Sequence, residues 1–369
     1  MKINSAVSVK QTGNNYYITL YFDQIYDDEL MLIYIKDLKE YVQKNDIYLI
    51  YQKIYKTCDA ATTSIIEENL CWDQQTFSPI TLTLFYEALY KTPIIGANLF
   101  GVNKKQMSEI KLAKNSDSSF IHYNSLGINY LFGYHMFNSP KDGFKLLQTT
   151  LNEMNYNASD IVRTWFYLNN IFTEYSDFNQ ARNQFFIQND ISFEINSKDL
   201  PASTCIAGKT YCDNSAMMLV AMNSEKKLFS KQRIYNDMQN EAEGNNYLYQ
   251  PAFSRGMLVS NDMEYEFQLS GTASVGKDGQ TKFEGNPKKQ IELTLKNIMN
   301  ILDSVGMQMS NIVESNVFIK SKKYYAVFID ICMQLEIDFP YVCIVGDVCR
   351  RDLLFEIDGI AKKIKKGYK

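Results

Sequence analysis

The chain repeats itself, and the repeat limits the folds open to it more than any other feature. Ala158–Leu168 (ASDIVRTWFYL) and Met309–Ile319 (MSNIVESNVFI) align at a constant offset, with Ser159, Ile161 and Val162 on Ser310, Ile312 and Val313. Self-similarity of this kind marks a supersecondary unit used more than once. In the first copy, strand-like Ser119–His122 and Ile128–His135 precede a helical segment, Asp142–Met154. In the second, Arg255–Ser260 and Tyr265–Val275 precede a helix over Gln290–Val305. Each copy then opens another amphipathic helix with Tyr-x-x-Phe, at Tyr175/Phe178 and Tyr325/Phe328. Each next reaches a proline, Pro201 or Pro340, followed by a strand. The predicted order is β-β-α-β-α-β-β, twice.

Such a unit makes one sheet with two helices on one face. The uncovered face still carries Trp165, Tyr167 and Phe318, so it needs a partner. Two tandem copies can shield each other, or three sheets can close into a barrel-like trimer. Residues 1–117 read as an α+β extension with strand-like Tyr16–Phe22 and Ile47–Tyr55, while Ile80–Tyr90 fits a helix or a buried strand. The expected domains are 1–117, a first unit at 118–225 and a second at 226–369.

Composition narrows the chemistry. Hydrophobic residues make up 46% and charged residues 22% of the 369, with a net charge of −4. That balance fits an ordinary globular protein and offers no basic face for nucleic acid. Residues 1–30 lack a secretory pattern and no run approaches a membrane span, so a cytoplasmic protein without membrane contact is expected. Lys362, Lys363, Lys365 and Lys366 read as a solubilising tail. The seven Cys are widely spaced without a C-x-x-C pair, and the two His, His122 and His135, belong to no ligand pattern. Reduced thiols, no metal and no organic cofactor are therefore expected. Chemistry would rest on carboxylates, Arg, Tyr, Cys or backbone groups.

The most distinctive stretch is Tyr341–Ile360 (YVCIVGDVCRRDLLFEIDGI): strand, polar connection, strand. Alternation puts Leu353, Phe355 and Ile357 on one face and Leu354, Glu356 and Asp358 on the other, away from the helices. A solvated strand face is the plain alternative for Glu356. Cys349 and Arg350 sit in the connection, able to fold back towards it.

Several motifs in order resemble a known family. Val162–Tyr167 (VRTWFY), Tyr175–Arg182 (YSDFNQAR) and Pro201–Gly208 (PASTCIAG) are similar to the RidA-type fold, whose members form trimers with sites between subunits. The second copy is more specific, with Tyr249–Arg255 (YQPAFSR), Ser270–Val275 (SGTASV), Thr294–Ile298 and Asp347–Glu356 (DVCRRDLLFE). Together these resemble the chorismatases, RidA-like enzymes acting on chorismate. The implied fold is α+β: two tandem RidA-like (chorismate mutase-like) units, each a mixed β-sheet with two helices on one face, plus the N-terminal extension. RidA deaminases place an Arg two residues after the strand-opening proline, where this chain has Ser203 and Val342.

The resemblance implies a small dianionic substrate and a trimer or pseudo-trimer. Two carboxylates call for well-placed guanidinium groups, which meet them through paired hydrogen bonds. The candidates are Arg163, Arg182, Arg255 and Arg350. Breaking the enolpyruvyl ether requires a proton delivered to its terminal methylene, and Glu356 matches the family's catalytic acid. A carboxyl that keeps its proton near neutral pH needs an apolar setting. Cys349 would contact substrate or tune Glu356, with a packing thiol as the alternative. Tyr167 and Tyr249 are candidate hydrogen-bond donors. Thr272 and Ala273 lie in a small-residue stretch where backbone approaches a ligand, and Ala273 leans towards hydrolysis over hydroxybenzoate formation. A non-catalytic RidA-like binder of a small carboxylate and a RidA-type deaminase are the alternative functions.

Overall fold

The computed structural model describes residues 1–57, 70, 72, 79–193, 199–236, 239 and 252–367. Its strands form three sheets. The first is built from β1 (Val7–Thr12), β2 (Asn15–Tyr21), β3 (Ile47–Lys56), β4 (Ile80–Phe85) and β5 (Ile94–Asn103) in the order β1-β2-β5-β3-β4. The second has β6 (Ser108–Lys114), β7 (Ser118–Ser125), β8 (Ile128–Phe137), β9 (Ile161–Leu168), β10 (Ala202–Ala207) and β11 (Ser215–Asn223), in the order β6-β7-β8-β11-β9-β10. The third has β12 (Phe229–Ile234), β13 (Gly256–Asn261), β14 (Glu264–Ala273), β15 (Ile312–Ile319), β16 (Val342–Val345) and β17 (Phe355–Ile364), in the order β12-β13-β14-β17-β15-β16. Apart from the added edge strands β6 and β12, the three orders are the same. The fold is thus mixed α+β with the two expected RidA-like units, and the N-terminal segment repeats their strand order. β6, from before residue 118, joins the second sheet.

The described α-helices are α1 (Asp28–Lys44), α2 (Pro140–Glu153), α3 (Ile171–Gln188), α4 (Pro287–Ser304) and α5 (Tyr324–Gln334), with short 3-10 turns at Lys104–Gln106, Ala158–Asp160 and Met309–Asn311. Asn or Asp and Ser side chains cap three of them: Asp27 accepts from the Leu30 amide, Ser139 from Asp142 and Asn286 from Lys289. Each satisfies an amide that the first turn leaves open. The helix before the third strand of each unit ends the same way, with a residue at positive φ: Asp46 at 53°, Asn155 at 59° and Gly306 at 69°. Gly and Asn are the usual occupants of this stop, and Asp tolerates it. None of the helices found is long and apolar enough to cross a membrane, among the described residues.

One face of the second sheet packs on α2 and α3 through Phe166, Leu168, Met217 and Leu219 against Phe144, Leu147, Phe178 and Phe185. The other face carries Trp165 and Tyr167 into a cluster shared with Tyr51 and Tyr55 of the first sheet and Phe318 of the third. The partner that face requires is supplied by the chain itself. Bridges Phe85↔Lys209, Glu87↔Val345 and Ile206↔Val348 join the sheets pairwise. The units come into register at a pairing irregularity in each: beside Tyr51 in β3, Arg163 in β9 and Glu314 in β15. These equivalent positions face one another inside the molecule. Glu314 is salt-bridged to Lys53 at 2.8 Å and accepts from the Tyr51 hydroxyl at 2.7 Å. Lys362 does not belong to a solvated tail: it is buried on β17 and pairs with Glu264 at 2.6 Å and Glu266 at 3.0 Å.

Candidate active site

Glu356 lies on β17, opposite Ala273 of β14 on one side and Phe318 of β15 on the other. Its neighbour Phe355 turns towards the helices, its ring 5.4 Å from that of Phe328. Alternation therefore sends the Glu356 side chain to the seam between the second and third sheets, where it is 5% exposed. Gly271 makes room for it. A Cβ at that position would stand 2.1 Å from Glu356 Oε1, a distance no side chain tolerates.

The seam holds a cavity with walls from both units. α3 contributes Tyr175 and Arg182, and β10 contributes Ser203 and Cys205. The third unit contributes Phe253, Arg255, Gly271, Ala273, Cys349, Arg350 and Glu356. Its free space is about 50 Å³, room for one or two waters. A cavity of about 1010 Å³ opens elsewhere, beside Tyr86, Tyr90, Gly208 and Gly346, but its charged lining includes the exposed pair Lys322–Glu87 at 2.9 Å, and no arginine lines it. The chemistry favours the smaller space.

Burial pushes the Glu356 carboxyl up to about 8, helped by the nearby Asp358 and opposed by Arg163, Arg255 and Arg350. Removing a carboxylate from water disfavours its charged form, and three guanidinium groups do not restore it. The acid therefore carries its proton at neutral pH. Burial and the neighbouring Glu356 raise the Cys349 thiol to about 12, and burial raises Cys205 as well. Neither thiol has the anionic character of a nucleophile.

Of the residues singled out in the sequence, Glu356, Cys349, Arg182, Arg255, Arg350 and Ala273 meet at this cavity. Arg182 is 2% exposed; its Nη2 donates to Asn179 at 2.7 Å, and Nε has no partner among the described residues. Its guanidinium lies 4.9 Å from the Phe178 ring centre and 5.3 Å from that of Phe253. Arg350 donates to the Gly279 carbonyl at 2.8 Å. Three candidates stand off the cavity wall. Arg163 is wholly buried, donating to Thr204 at 2.6 Å and Asp358 at 3.1 Å and lying over Trp165 at 4.7 Å. Tyr167 belongs to the central cluster beside Tyr55, and the Thr272 hydroxyl donates to the Ser270 carbonyl at 3.0 Å. Tyr249 lies outside the described residues.

Sequence reasoning gave no role to Cys205 or Phe253, and placed Gly271 only within the small-residue stretch where backbone approaches a ligand. The period-two spacing of Ser203 and Cys205 along β10 is the signal that places both on one wall.

Three sheets of one strand order make an α+β fold of like units, with the candidate site, a protonated carboxyl and arginines, at the seam between two of them. Residues 250–363 match the family described as Endoribonuclease L-PSP. The chain is similar in structure to a chorismatase, with 16% identity, 96% of this chain and 99% of that chain covered, and a TM-score of 0.66. At that identity the likeness establishes the fold, and the chain has the chorismatase fold. RidA from the Antarctic bacterium Psychrobacter matches over 35% of this chain and 98% of its own at 21% identity and a TM-score of 0.28. E. coli TdcF with bound serine matches over 36% and 98% at 21% identity, also with a TM-score of 0.28. No curated protein matches the sequence.

Proposed function

We propose that the protein is a chorismatase-like enzyme that releases pyruvate from the enolpyruvyl ether of chorismate or a close relative. The observation that carries this is the Glu356 carboxyl, protonated at neutral pH in a cleft whose walls also bear Arg182, Arg255 and Arg350. Arginine forks hold the two substrate carboxylates. Glu356 gives its proton to the terminal methylene carbon, turning it into a methyl group and leaving an oxocarbenium ion at the ether carbon. Water captured there gives a hemiketal that collapses to pyruvate and a dihydroxycyclohexadiene carboxylate. Capture by a ring hydroxyl leads instead towards a hydroxybenzoate, and the methyl of Ala273 beside Glu356 favours the first course. With Glu356 neutral, the arginine walls leave the cleft positively charged before binding, which suits a guest that brings two negative charges. With about 50 Å³ free, side chains of the walls move to admit a ring.

The test is to incubate the purified protein with chorismate, follow pyruvate, and identify the ring product. Release above the spontaneous rate supports the reading; release at the spontaneous rate ends it. The small free space favours one other reading, a non-catalytic binder of a small carboxylate. That reading predicts stabilisation by ligand, growing with its excess over the dissociation constant, without turnover. A RidA-type deaminase draws support from Arg182 and Arg255, which stand beside Ser203 where the family's carboxylate-holding arginine is absent. It predicts ammonia from imine substrates.

A further inference from the structure

Glu356 is reached by a chain of buried polar side chains that starts in the first unit. Asn98 of β5 donates to the Asn316 side-chain oxygen at 2.7 Å, and Asn316 of β15 donates to Asp358 Oδ1 at 2.9 Å. Arg163 of β9 donates to the other oxygen, Oδ2, at 3.1 Å. Asp358 is two residues from Glu356 on β17, so both carboxyls leave the strand on the same face. All four members, Asn98, Arg163, Asn316 and Asp358, are at most 1% exposed. Three units thus converge on one carboxylate, and that carboxylate borders the acid of the cleft.

We propose that Asp358 is a positioning residue: fixed as an anion by Arg163 and by the Asn98–Asn316 pair, it obliges Glu356 to keep its proton. The inference rests on the reading of Glu356 as the acid, and it gives the first unit a task in the chemistry. Two close carboxyls in a dry site do not both ionise. With both oxygens of Asp358 occupied by donors from Arg163 and Asn316, the shared proton goes to Glu356. The other groups around Glu356 are Arg255 and Arg350 of its own unit, Arg182 and Tyr175 of α3, and the thiols of Cys205 and Cys349. The arginines pull the opposite way, and the anion on Asp358 adds to burial in offsetting them. Burial contributes in the same sense and is unchanged by substitution at Asp358.

The experiment is a titration of the Glu356 carboxyl by carbon NMR in protein labelled at Glu carboxyls, with Glu356→Gln identifying the resonance. It needs no substrate, so a failure of chorismate to react leaves it decisive. Asp358→Asn removes the anion and with it the ion-pair partner of Arg163; both changes favour ionised Glu356. The expected result is a downward shift of at least one pH unit. In the active enzyme this becomes a roughly tenfold loss of kcat/KM on the alkaline side with the acid limb unchanged. Asn316→Ala and Asn98→Ala loosen Asp358, draw the proton towards it and shift Glu356 down by less. They also report if the Asp358→Asn protein does not fold. A Glu356 titration unmoved in Asp358→Asn, or in both asparagine variants, would overturn the proposal.

Discussion

Two seams of this molecule share one plan and have opposite contents. The seam between the second and third units holds the cavity with Glu356; at the equivalent place in the seam between the third and first, tyrosines fill the space, and a separate opening of about 270 Å³ lies on the far side of Tyr21 and Tyr341, beside Val7 and Pro340. Strand pairing equates their residues: Glu356 pairs with Ala273 and Phe318, and Gly96 pairs with Tyr21 and Tyr55. Gly96 therefore stands where the acid stands, and Tyr21 where Ala273 leaves space. Tyr325 takes the place of Tyr175 and Tyr341 that of Ser203. The Tyr21 and Tyr341 rings lie 5.5 Å apart, and the Tyr325 and Tyr341 hydroxyls are hydrogen-bonded at 3.2 Å. A Cβ on Gly96 would meet the Leu20 carbonyl at 2.5 Å and Val342 at 3.0 Å. The lesson is that the fold supplies a place for a site, while a few side chains decide whether it is a site or a core.

The comparison can be broken most sharply at its acid. Glu356→Gln is expected to lower pyruvate release by about 10³-fold, with the melting temperature kept or raised. Moving the filled seam's residue into the open one, Ala273→Tyr, should abolish stabilisation by dianionic ligands in a thermal shift assay. Overpacking would cost that variant about 1–3 kcal/mol. Third comes pH. Glu356 titrates near 8 in the folded chain against an ordinary value of 4.5, so kcat/KM should fall as pH rises through about 8. The folded state holds this proton more tightly than the unfolded chain. Stability from this group is therefore complete below 4.5 and is lost as pH rises to about 8, by up to roughly 5 kcal/mol. Denaturant melts across that window should show the decline in the parent and a flatter profile in Glu356→Gln. The smallest effect belongs to the filled seam: Tyr325→Phe should cost about 1 kcal/mol in denaturant unfolding and leave turnover unchanged.

Much of this is legible in the amino-acid sequence. The two copies announced themselves because Ser159–Val162 and Ser310–Val313 keep the residues that turn a helix end into a strand. Alternation along Phe355–Asp358 gave the face of Glu356, but Leu353, expected on the helix side, precedes β17 and lines the cavity with Glu356. The first unit stayed hidden because its third strand, YLIYQKIYK over 48–56, shares only apolar bulk with the others. The clue was subtler: Asp46, like Asn155 and Gly306, ends its helix at positive φ, and Asp is the least telling of the three. Arg163 shows the limit of alternation. It does share the open face with Trp165 and Tyr167, but that face closes on the centre of the molecule, so its charge goes to Asp358. A pattern along one strand fixes a side and leaves the partner across the seam undetermined. The one-residue register of β16 was likewise invisible: Ser315 and Thr164 donate to Pro340 and Ala202, so Ser203 corresponds to Tyr341, not Val342.

The account stands most directly on where the new methyl hydrogen of pyruvate comes from. Run in D₂O with chorismate and read by proton NMR before exchange, the parent protein should yield pyruvate bearing one deuteron, delivered by the exchanged Glu356 carboxyl, and Glu356→Gln should yield almost none. Undeuterated pyruvate would mean that a ring hydrogen moved within the substrate, and would contradict the role given to the buried acid.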